Sequence, residues 1–171
     1  SWGQVFSDTI NTGIYILEPE VLDLIPYQEE FDFGKDLFPL MLEKKMPLYG
    51  YVANGYWRDI GNLEEYLIGQ KDALAGKVKL NISSNLYESY YGYSDTEVAN
   101  NVEIKGNVYL GHNTKISSNC ILKDSIIGNN VTIGTGSKLY GVVIWDNVKI
   151  GEFCDINNTV ICNNVNIGNS T

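Results

Sequence analysis

A few residues of this chain combine reactive side chains with a setting in which chemistry could occur. Asp59 ends a predicted strand directly before a predicted helix, where a carboxylate could take a catalytic role. An isolated carboxylate at such a boundary can equally do no more than end the strand, because catalysis requires partner groups. Glu64 and Glu65 fall in the first turn of that helix and are interpreted as carboxylates that favour the helix dipole, not as an acid and base pair.

The element after these residues is a repeat, marked by asparagines that recur at a fixed interval. The interval is seventeen residues, and each coil contains two six-residue steps and one five-residue step, with an asparagine column at Asn113, Asn130, Asn147 and Asn164. Each step begins with a large aliphatic residue and has a small or β-branched residue at its fifth position. The fourth position is Asn or Gly, which tolerate left-handed corners best; examples are Asn101, Asn107, Asn119 and Gly136. This regularity predicts a solenoid whose coils bury their apolar residues against one another.

From Val98 to the end, the pattern resembles the left-handed parallel β-helix built from hexapeptide repeats. Phe153 breaks the corner rule, which indicates a different turn or a contact surface. Such β-helices also form acyltransferases that use a histidine base, so the single histidine, His112, leaves a hexapeptide acyltransferase as an alternative. It lies at an ordinary outward corner, and no long loop interrupts the coils to build a donor site.

Composition excludes several classes of function. The net charge of −9 argues against binding to nucleic acid or to an anionic membrane, since both require clustered Lys and Arg. No apolar run is long enough to span a bilayer, and no secretory signal is visible. The cysteines fit neither a zinc pattern nor a disulfide framework: Cys120 and Cys154 are predicted to be buried two coils apart, and Cys162 to face outward. The cytoplasm is the expected compartment.

The N-terminal part has an α/β pattern. Strands are predicted at residues 9–17, 47–53 and 56–60, with helices that begin at Pro19, span residues 34–44, and follow the N-cap Asn62. Leu63, Tyr66, Leu67 and Leu74 are predicted to form the apolar face of the third helix, and Gly76 to end it. The layer is predicted to lack part of its sheet, so we expect a fragment of a longer protein, with an α/β segment at 1–80, a junction at 81–97 and a β-helix at 98–171. The junction tyrosines, which could stack on a ligand, pack the junction or form a subunit contact, are Tyr87, Tyr90, Tyr91 and Tyr93.

In order along the chain, the motifs NTGIYILEPEVLDLIP, FDFGKDLFP, LYGYV and GYWRDIGNLEEYL precede the coils. This order resembles the C-terminal part of a sugar-nucleotide pyrophosphorylase, most closely a mannose-1-phosphate guanylyltransferase, with glucose-1-phosphate adenylyltransferases next. The resemblance implies the remnant of a Rossmann-like nucleotidyltransferase domain followed by a left-handed β-helix. The family's Gly-rich phosphate loop would lie upstream of Ser1.

The resemblance also implies an activity for the parent protein. A sugar 1-phosphate and a nucleoside triphosphate would give an NDP-sugar, with GDP-mannose favoured, and pyrophosphate, with Mg²⁺ as cofactor. By the same resemblance, Asp59 corresponds to a metal ligand, and Asn11 and Gly13 to a sugar-binding strand. No catalytic residue is assigned within this chain, which is expected to be inactive alone. Base and sugar preference cannot be read from these residues.

Two alternatives concern assembly. The parent could be a non-catalytic pyrophosphorylase-like subunit of a nucleotide-exchange assembly, although the Asp59 motif argues mildly against this. The chain could also serve as an assembly module that forms a homo-oligomer through its coils, which is compatible with an enzymatic parent.

Overall fold

The computed structural model describes residues 9–81, 84–87 and 89–171. The chain divides into two units, Ser1–Gly55 and Tyr56–Thr171. None of the helices within the described ranges has the length and apolar character needed to cross a bilayer.

The first unit contains short helices around a small apolar core. A 3-10 helix spans Pro19–Leu24, a π-helical turn spans Phe33–Leu37, and α1 spans Phe38–Glu43, which confirms the helices predicted in these two places. The core consists of Val21, Leu37 and Met41. The turn starts where the Asp32 carboxylate accepts a hydrogen bond from the Lys35 N–H at 2.7 Å.

The strands predicted at residues 9–17, 47–53 and 56–60 are not formed; each of these segments is irregular. A strand is stable only when a neighbour pairs its N–H and C=O groups, and none of the described segments pairs with these three. Their apolar side chains are accordingly exposed, as at Ile14 (76%) and Ile16 (100%).

The second unit contains helix α2, Leu63–Leu74, and a parallel β-helix. Thirteen strands are formed within the described residues: β1 Asn85–Leu86, β2 Tyr91–Gly92, β3 Glu97–Val98, β4 Glu103–Leu110, β5 Lys115–Ile116, β6 Ile121–Ile127, β7 Thr132–Ile133, β8 Lys138–Tyr140, β9 Val143–Ile144, β10 Lys149–Ile150, β11 Asp155–Asn157, β12 Val160–Ile161 and β13 Asn166–Ile167.

These strands stack into three faces. The first face contains β3, β5, β7, β10 and β13. The second contains the first halves of β4 and β6 with β8 and β11, and the third contains their second halves with β9 and β12. In register, Ile133 aligns with Ile116 and Ile150, so each inward aliphatic residue packs on its equivalents in adjacent coils. The predicted repeat is confirmed.

The asparagine column forms one corner of the coils. Asn113, Asn130, Asn147 and Asn164 have φ values of 53°, 54°, 59° and 61°, as predicted for left-handed corners. Their side chains also form a ladder, because the Asn113 amide donates to Asn130, and Asn130 to Asn147, at 3.0 Å. Asparagine therefore supplies both the backbone angle and an inter-coil hydrogen bond.

The corner prediction is wrong at two positions, and one corner column was not predicted. In the first coil the left-handed residue is Gly106 and not Asn107, because an extra residue shifts the register between Lys105 and Val108; Asn101 is not left-handed either. The five-residue steps have left-handed corners of their own, at Asp124, Gly141 and Asn158.

A second column of left-handed corners contains Asn119, Gly136 and Phe153. Phe153 stands there where an asparagine is expected, and its φ is 57°. A Cβ atom on Gly136, one coil earlier, would lie 2.6 Å from the Phe153 ring. The ring therefore lies over a glycine that leaves room for it, which explains the break in the corner rule.

The cysteine predictions are confirmed. Cys120 and Cys154 are free and buried, and Cys162 is free and exposed. Each buried thiol donates to a glycine carbonyl of the next coil at 3.1 Å, Cys120 to Gly134 and Cys154 to Gly168. Burial raises the pKa of the Cys120 thiol, so it remains protonated and acts as a small core residue.

Candidate functional site

An open cleft lies along the segment that leads into α2. It has a volume of about 420 Å³ and is lined by Trp57, Arg58, Asp59, Gly61, Asn62 and Glu65. Two elements build it: the irregular segment 56–61 and the first turn of α2. The cleft contains the carboxylate that the sequence singled out as a candidate metal ligand.

Helix α2 is defined at both ends by the residues predicted for those roles. The Asn62 side chain accepts a hydrogen bond from the Glu65 N–H at 2.9 Å, and Gly76 follows the helix with a φ of 74°. The predicted apolar face is wrong at Leu63, which is 70% exposed because it lies at the open N-terminal end.

Arg58 ties the segment to α2. Its guanidinium contacts the Glu65 carboxylate through Nη1 and lies 3.4 Å from the Asp72 carboxylate through Nη2. The Arg58 Nε donates to the Tyr56 hydroxyl at 3.1 Å, and that hydroxyl donates to Asp72 at 2.9 Å. Hydrogen bonds to Tyr56 and Glu65 raise the pKa of Arg58, so the guanidinium remains charged.

Asp72 is the anchor of this network. It is 7% exposed, and Lys77 donates to its second oxygen at 2.7 Å. The hydrogen bonds from Lys77 and then Tyr56 lower the pKa of Asp72, outweighing the opposing effect of burial. The sequence did not indicate this network, since Arg58 and Asp72 are fourteen residues apart; the only signal was the placement of Glu65 and Asp72 on one side of a helix.

Asp59 differs from its neighbour in having no partner among the residues that the structure describes. Its side chain is exposed, and within the described ranges it makes no hydrogen bond or ion pair. Arg58 binds α2, whereas the adjacent Asp59 carboxylate lines the cleft. The network around Arg58 therefore fixes the backbone of this segment and leaves the Asp59 carboxylate available to a ligand. The described residues contain no group of three or more His, Cys, Asp or Glu side chains arranged to hold a metal ion. Asp59 therefore fits a metal site as one ligand of several.

Replacing Asp72 by asparagine should change how stability depends on pH. The folded chain holds the pKa of Asp72 below its ordinary value of 3.8, so its contribution is fully present above that pH and is lost as the pH falls through the lowered value. We expect Asp72→Asn to lower the melting temperature at neutral pH, and this difference from wild type to shrink in acid.

Thermal melts between about pH 7 and about pH 3 measure this effect. Asp23→Asn, at an exposed carboxylate, is the matched control and should show no such trend. A difference for Asp72→Asn that stays constant with pH would contradict the proposed anchoring by the charged form.

Asn11 and Gly13 lie in the first unit and form a local turn. The Asn11 side-chain oxygen accepts a hydrogen bond from the Gly13 N–H at 2.9 Å, and its amide donates to the Tyr15 hydroxyl at 2.8 Å. Gly13 has a φ of 73°, and apart from its chain neighbours no atom of the described residues lies within 4 Å of the position that a Cβ would occupy. The backbone at Gly13 is therefore open to a ligand, while the Asn11 side chain has intramolecular partners.

The junction tyrosines pack on one another and on the first coil. The rings of Tyr87 and Tyr90 stack with centroids 5.0 Å apart, and Tyr90 packs against the β-helix core. The hydroxyls of Tyr93 and Tyr109 lie 3.1 Å apart. Tyr91 is 40% exposed. Packing of the junction, one of the three interpretations offered from the sequence, is the arrangement observed for Tyr90 and Tyr93.

His112 lies at the outward corner predicted for it. Its ring stacks on Tyr93 with centroids 3.6 Å apart, and its Nδ1 lies 3.1 Å from an Asp95 carboxylate oxygen. Its backbone N–H donates to the Asn129 side chain in the next coil at 2.8 Å. These contacts link successive coils.

Two protein-family models match different parts of the chain. A family model described as nucleotidyl transferase matches residues 3–76. A second model, described as the EIF2B subunit epsilon LbH domain, where LbH denotes a left-handed β-helix, matches residues 87–171.

Curated relatives match across both parts. A UTP–glucose-1-phosphate uridylyltransferase of Synechocystis is 37% identical over 78% of this chain and 36% of its own length. A glucose-1-phosphate adenylyltransferase of Desulfitobacterium hafniense is 30% identical over 77% of the chain and 34% of its own length. A mannose-1-phosphate guanyltransferase of Kluyveromyces lactis is 34% identical over 78% of the chain and 42% of its own length.

The chain thus spans between a third and about two fifths of the length of these relatives. Both predicted parts, in the predicted order, have a counterpart among known families. Residues 3–76 are thus similar to the nucleotidyl transferase family model, and they are followed by a β-helix whose residues 87–171 match a left-handed β-helix domain model.

Proposed function

We propose that the full-length protein is a sugar-1-phosphate nucleotidyltransferase that forms an NDP-sugar and pyrophosphate, with GDP-mannose as the favoured product. The observation that carries the proposal is Asp59, a carboxylate that has no partner among the described residues and lines an open cleft within the part of the chain matched by the nucleotidyl transferase model. Relatives named for uridylyl, adenylyl and guanylyl transfer to sugar 1-phosphates support the reaction class.

Asp59 would bind Mg²⁺ together with ligands from elsewhere in the full-length protein. When bound, the cation supplies neutralisation of phosphate charge during attack on the α-phosphorus. Tyr56, Glu65 and Asp72 accept hydrogen bonds from three of the five N–H groups of Arg58, which hold its guanidinium against α2. Its role is to hold the segment so that Asp59 stays in the cleft.

Asn11 and Gly13 would contact the sugar. The open space at Gly13 would let a sugar approach the backbone. Asn11 would exchange its bond with Tyr15 for one with a sugar hydroxyl, which has the same donor and acceptor character. A Gly13→Ala substitution would hinder the approach of the sugar to the backbone. Its side chain is also disfavoured at a φ of 73°.

The test is turnover of the full-length protein with mannose 1-phosphate and glucose 1-phosphate, each combined with GTP, ATP and UTP, measured as pyrophosphate release. The expected result is Mg²⁺-dependent turnover that is fastest with mannose 1-phosphate and GTP. Faster turnover with another pair would overturn the GDP-mannose assignment while keeping the reaction class.

A second candidate is a non-catalytic pyrophosphorylase-like subunit of a nucleotide-exchange assembly. The match of residues 87–171 to a β-helix domain of the EIF2B subunit epsilon favours it. Absence of turnover with all six substrate pairs, in a protein that still assembles with other subunits, would support this candidate over the enzyme.

We further propose that this chain alone is inactive and assembles into homo-oligomers through its β-helix. The described residues provide one candidate metal ligand, which is too few for a complete site. A cytoplasmic location is proposed from the three free thiols, which persist in a reducing compartment. Light scattering measures the oligomeric state, and a monomer at micromolar concentration would contradict the assembly proposal.

A further inference from the structure

One outer face of the β-helix is apolar, unlike the others. Residues that point outward alternate with the buried ones along a strand. On the first face the outward residues are polar: Lys115, Thr132, Lys149 and Asn166. On the third face they are Tyr109, Ile126, Val143 and Val160.

Helix α2 lies on this apolar face. It packs against β4 and β6, whose second halves belong to the face. Val143 is only 5% exposed, yet it is not part of the core cluster inside the coils. Burial of an outward-pointing valine indicates that the face is covered from outside.

Two polar contacts fix the position of α2 on the face. The Trp145 indole N–H donates to the Tyr66 hydroxyl at 3.2 Å, and Lys71 donates to the Asn158 side chain at 3.3 Å. Helix α2 approaches the corner at Gly141 closely, since a Cβ on Gly141 would lie 3.3 Å from the Lys71 Cε. The position of Trp145 within its step is glycine or cysteine in the other coils, at Gly111, Gly128 and Cys162, so the indole is specific to this coil.

The other side of α2 holds the cleft. Glu65 and Asp72 bind Arg58, which precedes Asp59. One helix of twelve residues thus contacts the β-helix through Tyr66 and Lys71 and the Asp59 segment through Glu65 and Asp72. A helix of this length moves as a rigid unit, so a shift at one side is transmitted to the other.

We infer that Trp145 and Asn158 are positioning residues for Asp59: the β-helix sets the position of the metal-binding carboxylate through α2. The inference rests on the proposed role of Asp59 and assigns the coils a part in substrate turnover besides assembly. If so, changes on this face of the β-helix alter how the reaction depends on the cation concentration.

The test compares Trp145→Ala with Phe153→Ala in the full-length protein. Both remove an exposed aromatic ring from a β-helix coil, but the Phe153 ring lies over Gly136. Amide hydrogen exchange is followed in residues 66–74 of α2, whose amides are hydrogen-bonded within the helix. We expect about tenfold faster exchange there in Trp145→Ala and no change in Phe153→Ala. Trp145→Phe keeps an aromatic ring but removes the N–H that donates to Tyr66, so it should also exchange faster than the wild type.

The second readout is the Mg²⁺ concentration that gives half-maximal turnover. We expect Trp145→Ala to raise it about tenfold, and Phe153→Ala to leave it unchanged, because small displacements of a ligand weaken a metal site strongly. Lys71→Ala, a milder change, should shift both readouts in the same direction if Trp145→Ala does not fold.

Unchanged exchange in residues 66–74, equal acceleration in the Phe153→Ala control, or faster exchange with unchanged Mg²⁺ dependence would each overturn the inference. Hydrogen exchange does not require turnover. An inactive wild-type protein would therefore refute the proposed function, while the exchange comparison would still test the mechanical connection.

Discussion

Asp59→Asn in the full-length protein is expected to lower turnover by about a hundredfold or more, because loss of the charge of the proposed metal ligand would remove several kcal/mol of transition-state stabilisation. Asparagine keeps the size of the side chain and removes only the charge. Asp59 has no partner among the described residues, so the variant should fold and melt like the wild type.

Glu64→Gln is the matched control for this prediction. Glu64 is an exposed carboxylate in the first turn of α2, five positions away, and is not among the residues that line the cleft. Its loss should leave turnover within about twofold of wild type. Equal activity of Asp59→Asn and wild type would remove Asp59 from the metal site.

Leu139→Ala is expected to lower the free energy of unfolding by about 2–5 kcal/mol. Leu139 is completely buried, and it aligns with Leu122 in the coil before and Ile156 in the coil after. Truncation opens a cavity that the neighbours cannot fill, because the hydrogen-bonded strands fix the distance between coils.

Lys138→Ala, in the same strand but with an outward side chain, is the control. Lys138 is exposed, and we expect a change within about 0.5 kcal/mol. Denaturant unfolding followed by circular dichroism measures both variants. A cost for Leu139→Ala as small as that of Lys138→Ala would mean that the coils are not packed as described.

The repeat that contains Leu139 and the cleft that contains Asp59 could be predicted from the sequence to different degrees. The repeat could be predicted because a corner needs a residue that adopts a left-handed conformation, and that need recurs with each coil, as at Asn130 and Asn147. The corner at Asp124 was missed, because the five-residue step moves it out of the fourth position, and neither Gly141 nor Asn158 repeats its residue type.

The N-terminal strands were predicted wrongly for a different reason. Alternation of apolar residues, as at Ile14 and Ile16, indicates a segment suited to a sheet, but a strand forms only with a paired neighbour. Helix ends at Asn62 and Gly76 are determined locally and were predicted correctly.

The candidate site was predicted in part. Asp59 was singled out because the motif around it resembles a motif of the sugar-nucleotide pyrophosphorylase family. The network of Arg58 and Asp72 depends on how α2 packs against the segment before it, which one-dimensional spacing does not reveal. The role of Trp145 was hidden for the same reason, since its partner Tyr66 is seventy-nine residues away.

The most direct test of the central claim, that Asp59 is a ligand of the catalytic cation, is to locate that cation. Crystals of the full-length protein grown with Mn²⁺ in place of Mg²⁺ and a nucleoside triphosphate would show the ion by its anomalous scattering. The account predicts an Mn²⁺ ion within about 2.5 Å of an Asp59 carboxylate oxygen and in contact with the triphosphate. An Mn²⁺ ion bound to the triphosphate with Asp59 left in solvent would contradict it.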